Sequence, residues 1–334
     1  MSTEEQNRFV MPPCIENDNG EERKAGYEIE FTGLDIGRSA EIIRELYGGE
    51  IKKESEYEFK VCDTEFGDFK LELDASLIRD KKYEKFLSSI GIQVPAGNSA
   101  EMESLIKNAA TPWVPFEIVT PPVELTRMHQ LNAMTNRLRE EKAIGTKDSF
   151  LYAFGMHINP EAPSLKAQSI LDHLRAFMML DPWIRKDAGI DLSRRITPYI
   201  DPFGKDYMRK ILDPAYPADL SQLIKEYFRF GNSRNRALDL LPMFMCLNEG
   251  LTSALLKEEL TSARPTYHYR LPNCEIDDPA WSLASEWNRW VRVEQLANDK
   301  EQLSVNMNKW MELNEKFTIR KKGKWIRIIE KWIE

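Results

Sequence analysis

With 334 residues, a net charge of −8 and a pI near 5.4, the chain lacks the basic surplus that a general nucleic-acid or anionic-membrane binder needs. Hydrophobic residues make up 42% and charged residues 30%, which is enough apolar material for a sizeable core and unlike a disordered chain. No apolar run approaches the roughly 20 residues that span a bilayer.

Residues 1–24 are polar, carry Pro12, Pro13 and an Asn-Asp-Asn-Gly stretch, and read as a flexible N-terminal arm. A folded region is expected from 25 to about 300. It begins with a strand over 26–32 and a helix over 38–48. Two strands follow within 50–74, split by the turn-like segment 63–68, which predicts an antiparallel hairpin. Helical stretches near 79–90 and 100–110, a strand over 113–120, a helix over 124–142 and a strand over 149–158 complete the first half. From Ser164 the spacing becomes helical, with a short strand near 265–271 and a long helix over 279–297. Residues 301–334 read as a C-terminal helix and a basic hairpin, the alternation over 316–328 turning about Lys322-Gly323. Strands pairing as hairpins beside a helical half predict an α+β fold with a mainly antiparallel sheet.

Residues two apart on a strand share a face. Glu28 with Glu30, Glu72 with Asp74, and His157 with Asn159 therefore each project as a pair. Ile29, Leu73 and Ile158 point to the other side. A lone Glu-x-Glu is ordinarily a solvent face, and a lone strand histidine is more often a satisfied core residue. Three such pairs on successive strands make a common carboxylate and imidazole face the better reading. Glu117 strengthens it, because a carboxylate in the apolar run 113–119 must be paired or metal-bound. Oxygen ligands with a single histidine favour Mg²⁺ or Mn²⁺ over a thiolate-rich zinc site.

Arg194-Arg195, Arg234-Asn-Arg236 and Arg270 are candidate clamps for phosphate or carboxylate, whose oxygens the planar guanidinium matches in pairs. Trp281, Trp287 and Trp290 read as core or interface. There is no GxxxxGK[ST] loop, GxGxxG turn, GxSxG elbow or HExxH helix. A phosphate-using site in this chain would hold its nucleotide through metal ions and arginines. Cys14, Cys62, Cys246 and Cys274 show no CxxC spacing, and with no leading signal-peptide pattern they read as reduced thiols of a cytoplasmic protein.

Taken in order, Gly26-Tyr-Glu-Ile-Glu-Phe31, Leu73-Asp-Ala-Ser76, Phe116-Glu-Ile-Val-Thr-Pro-Pro122, Gly155-Met-His-Ile-Asn159 and Tyr269-Arg-Leu-Pro272 resemble the amidoligase family. That family belongs to the carboxylate–amine ligase superfamily with glutamine synthetase and glutamate–cysteine ligase. The resemblance covers roughly 24–297. It implies a glutamine synthetase-like fold in which a curved antiparallel sheet walls the active site. Glu28, Glu30, Asp74, Glu117 and His157 are the implied metal site, Arg270 the implied phosphoryl clamp, and Arg195, Arg236 and Asn159 further nucleotide contacts. Where the family has Glu-Phe-Arg, this chain reads His268-Tyr269-Arg270, so His268 either replaces a metal ligand or marks an altered site.

The implied activity is ATP- and Mg²⁺- or Mn²⁺-dependent amide or peptide bond formation through an acyl phosphate, on small-molecule or peptide carboxylates and amines. Arg270, His157 and Glu117 are the expected catalytic residues. Two other readings stay open. One is a metal-dependent phosphohydrolase or nuclease using the same acids. The other is a non-catalytic relative that binds a peptide or protein partner. Substrate identity and oligomeric state are left open by the sequence.

Overall fold

The computed structural model of the protein describes residues 5, 7–55, 57–73, 116–145, 155–190, 203–230, 236–256, 262–315 and 321–334. The expected helices near 79–90 and 100–110 lie outside these residues. Among the described residues a nine-stranded sheet runs in the order β2-β3-β4-β5-β1-β7-β9-β8, with the short β6 (Val123–Glu124) also on β1. Its middle is β1 (Lys24–Phe31), antiparallel to β5 (Phe116–Val119) on one side and to β7 (Met156–Pro160) on the other. The expected hairpin is present as β3 (Glu58–Thr64) and β4 (Gly67–Leu73), with β2 (Glu50–Lys53) outside it. β8 (Leu238–Asp239) and β9 (His268–Tyr269) form the far edge. The sheet is thus open and uncurled, where the resemblance implied a curved one.

Strand periodicity separates its two faces. Along β1, Ala25, Tyr27, Ile29 and Phe31 are fully buried, and Gly26, Glu28 and Glu30 alternate with them on the opposite side. The apolar face meets the helices. α1 (Ile36–Tyr47) starts where the Asp35 carboxylate accepts from the backbone N–H groups of Gly37 and Arg38, and stops at Gly48, whose φ of 76° suits a residue without Cβ. α3 (Ala167–Asp187), which follows α2 (Asn132–Glu140), is buried on every side from Ile170 to Leu180, its charged members Asp172 and Arg175 lying 3.6 Å apart as an ion pair. Pro182 removes one of its backbone donors, and Trp325 supplies an indole N–H to the Met179 carbonyl at 2.7 Å.

Two expectations about the chain ends are overturned. Residues 7–23 are not a loose arm: Phe9 is buried, Val10 exchanges hydrogen bonds with Asn288 and Trp287, and Arg23 is fully enclosed. Polar composition misled here because the segment docks mainly through backbone groups, which composition does not report. The basic hairpin expected over 316–328 does not form in its described part, because 321–328 is helical, and 316–320 lies outside the described residues. After α4 (Lys205–Ile211), α5 (Leu220–Arg229), α6 (Leu241–Leu247), α7 (Glu249–Leu255), α8 (Leu283–Asn298) and α9 (Lys300–Glu315), the chain closes with the helix α10 (Lys321–Ile333). Alternation up to Ile328 hid the longer pattern Trp325, Ile326, Ile329, Trp332, Ile333, which is helical spacing. Trp325 and Ile329 join the same hydrophobic core as Phe9 and Ile29, so both ends belong to one packed body. No helix among the described residues is long and apolar enough to cross a membrane, and no disulfide joins the four cysteines.

Candidate functional site

The polar face of the sheet is built by register. β1 sets Glu28 opposite His157 and Gly26 opposite Asn159 on β7, and Glu30 opposite Glu117 on β5. β4 continues that row with Glu72 opposite Glu117. β7 meets β9 at Ile158 and Tyr269, so the next residue on each side brings Asn159 opposite His268. Glu28, Glu30, Glu117, His157, Asn159 and His268, widely spaced in the sequence, are thereby gathered at the centre of one face.

Their contacts are short. His157 Nδ1 lies 2.6 Å from Glu28 Oε2, and Asn159 Nδ2 donates to Glu28 Oε1 at 2.9 Å. His268 Nδ1 lies 2.6 Å from Asn159 Oδ1, and Arg270 Nη1 lies 2.9 Å from His268 Nε2. Glu30 accepts from the Gly155 backbone N–H at 2.8 Å and turns its other oxygen toward His157 Nε2, 4.0 Å away. The two imidazoles meet edge to face, with ring centres 4.8 Å apart.

Electrostatics follow from burial. The Glu28 side chain is only 13% exposed, and burial works against its charge. The imidazoles of His268 and His157 and the hydrogen bonds from His157 and Asn159 outweigh that, holding its carboxyl well below the ordinary range. Burial pushes the His268 pKa well down against the opposing influence of Glu28, and His157, Arg270 and Arg264 push the same way as burial.

Two overlapping groups have ligand atoms close enough to share a cation: Glu28 with His157 and His268, and Glu30 with Glu117 and His157. Carboxylate oxygens with one or two imidazoles suit Mg²⁺ or Mn²⁺, so the donor set fits the implied ions. In the first group Glu28 already spends both oxygens on His157 and Asn159. In the second, His157 presents Nε2 toward Glu30 while a carboxylate holds its Nδ1, the usual arrangement of a ligating histidine.

Of the residues singled out in the sequence, Glu28, Glu30, Glu117, His157, Asn159, His268 and Arg270 are brought together. Asp74 and Arg195 lie outside the described residues. Arg236 is held elsewhere: its guanidinium carbon sits 5.1, 5.2 and 4.4 Å from the rings of Phe203, Tyr207 and Tyr227, and it donates to the Tyr227 carbonyl. That cage stabilises a buried guanidinium by cation–π attraction, which two flanking residue letters do not announce. Glu72 is paired with Lys70 at 2.6 Å. The sequence reading missed Arg264, whose positive charge acts on His268. Strand parity did not announce it, because Arg264 precedes the bend at Pro265 and lies outside β9.

No curated protein and no solved structure matches the chain. Residues 21–292, which contain every member of the cluster, match the family described as putative amidoligase enzyme, and the chain belongs to that family.

Proposed function

We propose that this protein is an ATP- and divalent-cation-dependent carboxylate–amine ligase on a sheet of the glutamine synthetase-like type. The observation that carries the reading is the convergence of Glu28, Glu30, Glu117 and His157 on one sheet face, beside Arg270, in a chain of amidoligase family membership. Glu30, Glu117 and His157 would hold Mg²⁺ or Mn²⁺, which when bound neutralises the β- and γ-phosphate oxygens.

The chain's own groups then have distinct tasks. Arg270 offers a planar donor fork to the transferring phosphoryl group and, later, to departing phosphate. Glu28 orients His157 through the 2.6 Å contact. The apolar side of the sheet, with Tyr27, Ile29 and Ile158 fully buried, fixes the backbone from which these side chains project. A substrate carboxylate oxygen bonds to the γ-phosphorus as the bond to ADP breaks, giving an acyl phosphate. The amine nitrogen then bonds to the acyl carbon, the carbon–oxygen bond to phosphate breaks, and the amine proton leaves with the phosphate.

The test is ADP release with ATP, Mg²⁺ and mixtures of amino acids or peptides. The expected result is ADP formation that needs both a carboxylate and an amine and stops in excess chelator. Phosphate release from ATP or another phosphoester with no amine requirement would replace the ligase by a phosphohydrolase, and nucleotide binding without turnover would replace it by a non-catalytic binder.

A further inference from the structure

The geometry points to Asn159 and His268 as positioning residues: with Arg270 they form a hydrogen-bond chain whose donors converge on Glu28 and which leaves His157 Nε2 aimed at the Glu30 and Glu117 carboxylates. The inference deepens the ligase reading and rests on its cation.

The direction of each bond is fixed by chemistry. A guanidinium only donates, so His268 Nε2, 2.9 Å from Arg270 Nη1, must accept. A carboxylate only accepts, so Asn159 turns its amide nitrogen to Glu28 Oε1 at 2.9 Å and its oxygen to His268. His268 therefore carries its proton on Nδ1, where it donates to Asn159 Oδ1 at 2.6 Å. With one nitrogen protonated and the lone pair of the other held by Arg270, this ring has no lone pair left for a cation. At the far end of the chain Glu28 Oε2 accepts from His157 Nδ1 at 2.6 Å, which leaves Nε2 as the nitrogen on the Glu30 side, 4.0 Å from Oε1. Every donor and acceptor along Arg270, His268, Asn159, Glu28 and His157 agrees with the next. Reversing any one of them sets two acceptors or two donors face to face.

Of the two overlapping groups, the chain thus assigns the cation to Glu30, Glu117 and His157, with Glu28, Asn159 and His268 orienting the imidazole. Replacing an outer partner of a metal ligand costs about 10- to 100-fold in affinity, which is measurable without turnover. The experiment is Mn²⁺ binding to the full chain without nucleotide, followed by loss of the free-ion electron paramagnetic resonance signal. It compares wild type with His268→Gln, His268→Glu and Asn159→Asp, each first shown to melt cooperatively.

Glutamine is neutral and can both donate and accept, so His268→Gln should stay near wild type. His268→Glu puts an acceptor against Asn159 Oδ1 and should lose about 10- to 100-fold. Asn159→Asp should also weaken Mn²⁺ although it adds negative charge beside the site. Several results overturn the inference: tighter Mn²⁺ with Asn159→Asp, His268→Glu at or above wild type while His268→Gln falls, equal loss in both His268 variants, or no change in any. The two positions carry the test separately should one variant not fold. Wild type that binds Mn²⁺ and turns over while the variants break this order removes the chain alone. Wild type that binds no Mn²⁺ removes the cation reading, and the chain with it.

Discussion

Two enclosed charge clusters sit near opposite ends of β1, and they are built to different plans. At its start, Arg23 meets Glu294 of α8 through two bonds of 2.8 and 2.7 Å, and gives its remaining N–H groups to the carbonyls of Cys14 and Glu161. Trp290 donates to the same Glu294 carboxylate. Arg23 is fully enclosed and Glu294 nearly so. Charge is balanced and all five guanidinium hydrogens are used, so this cluster ties the N-terminal segment to α8 and offers nothing to a ligand. Further along the strand, Glu28 and Glu30 join Glu117 and His157, and Arg270 contacts an imidazole, His268, at 2.9 Å. Carboxylates concentrated in this way favour an external cation, whereas a balanced ion pair favours only itself.

The largest test of that contrast is Arg23→Ala. Removing one partner strands Glu294 as a buried charge, so denaturant unfolding should show a loss of about 3–5 kcal/mol, whereas replacing both partners with apolar residues should cost far less than the two single changes added together. Arg23→Ala protein that is still folded at low temperature should keep its Mn²⁺ affinity. A large affinity change there would join the two clusters into one functional unit.

Glu30→Gln and Arg270→Ala invert the pattern. Each is expected to lower amine-dependent ADP release by roughly 10²-fold or more, the scale of losing one preorganised charged group, while stability moves by no more than about 1 kcal/mol. If the melting temperature of Glu30→Gln collapses instead, this face is structural in the same sense as the Arg23 pair.

A smaller effect sits beside the closed cluster. His173 stacks on Tyr267 and meets the Ser169 carbonyl through Nδ1; burial, with Arg23 and Lys300 nearby, lowers its pKa against the opposing influence of Glu294. A histidine kept neutral in the fold gains its proton first in the unfolded chain, so its contribution is intact above about pH 6.5 and lost as pH falls from there toward the lower folded value. Unfolding free energy should therefore fall less steeply with decreasing pH in His173→Gln than in wild type, the difference reaching at most about 1.4 kcal/mol per pH unit. Parallel slopes would show that His173 does not carry this titration.

The smallest expected change marks the outer limit of the site. Lys70 is 39% exposed and pairs with Glu72, which lies in register with Glu117. Lys70→Ala should alter stability by less than about 1 kcal/mol and leave turnover nearly unchanged. A roughly tenfold shift in turnover, worth about 1.4 kcal/mol, would extend the functional row to Glu72.

What was legible in the chain was whatever depends on local period. Alternation within 26–31 and 155–159 put Glu28, Glu30, His157 and Asn159 on one side of their strands, and the hairpin of β3 and β4 followed from its central turn. The same logic went astray at 321–328, where a short alternating stretch lay within a longer helical pattern that the core, with Trp325 bonded to the Met179 carbonyl of α3 and Ile329 buried, makes decisive. Arg236 shows the limit for side chains, since an arginine bound for an aromatic cage carries the same letter as one bound for a phosphate.

By itself, then, the sequence determined the secondary elements with strong period, the family, and the parity that makes carboxylates and imidazoles share a face. Only the tertiary structure decided which strands are neighbours, and so which oxygen meets which nitrogen. Pairing Asn159 with His268 across 109 positions depends on β7 and β9 meeting in one register. A slip of a single residue would turn those side chains to opposite faces. The closed Arg23 cluster was invisible for the same reason, because Glu294 lies 271 positions away and is brought to Arg23 by the packing of α8, not by anything near either residue in the chain.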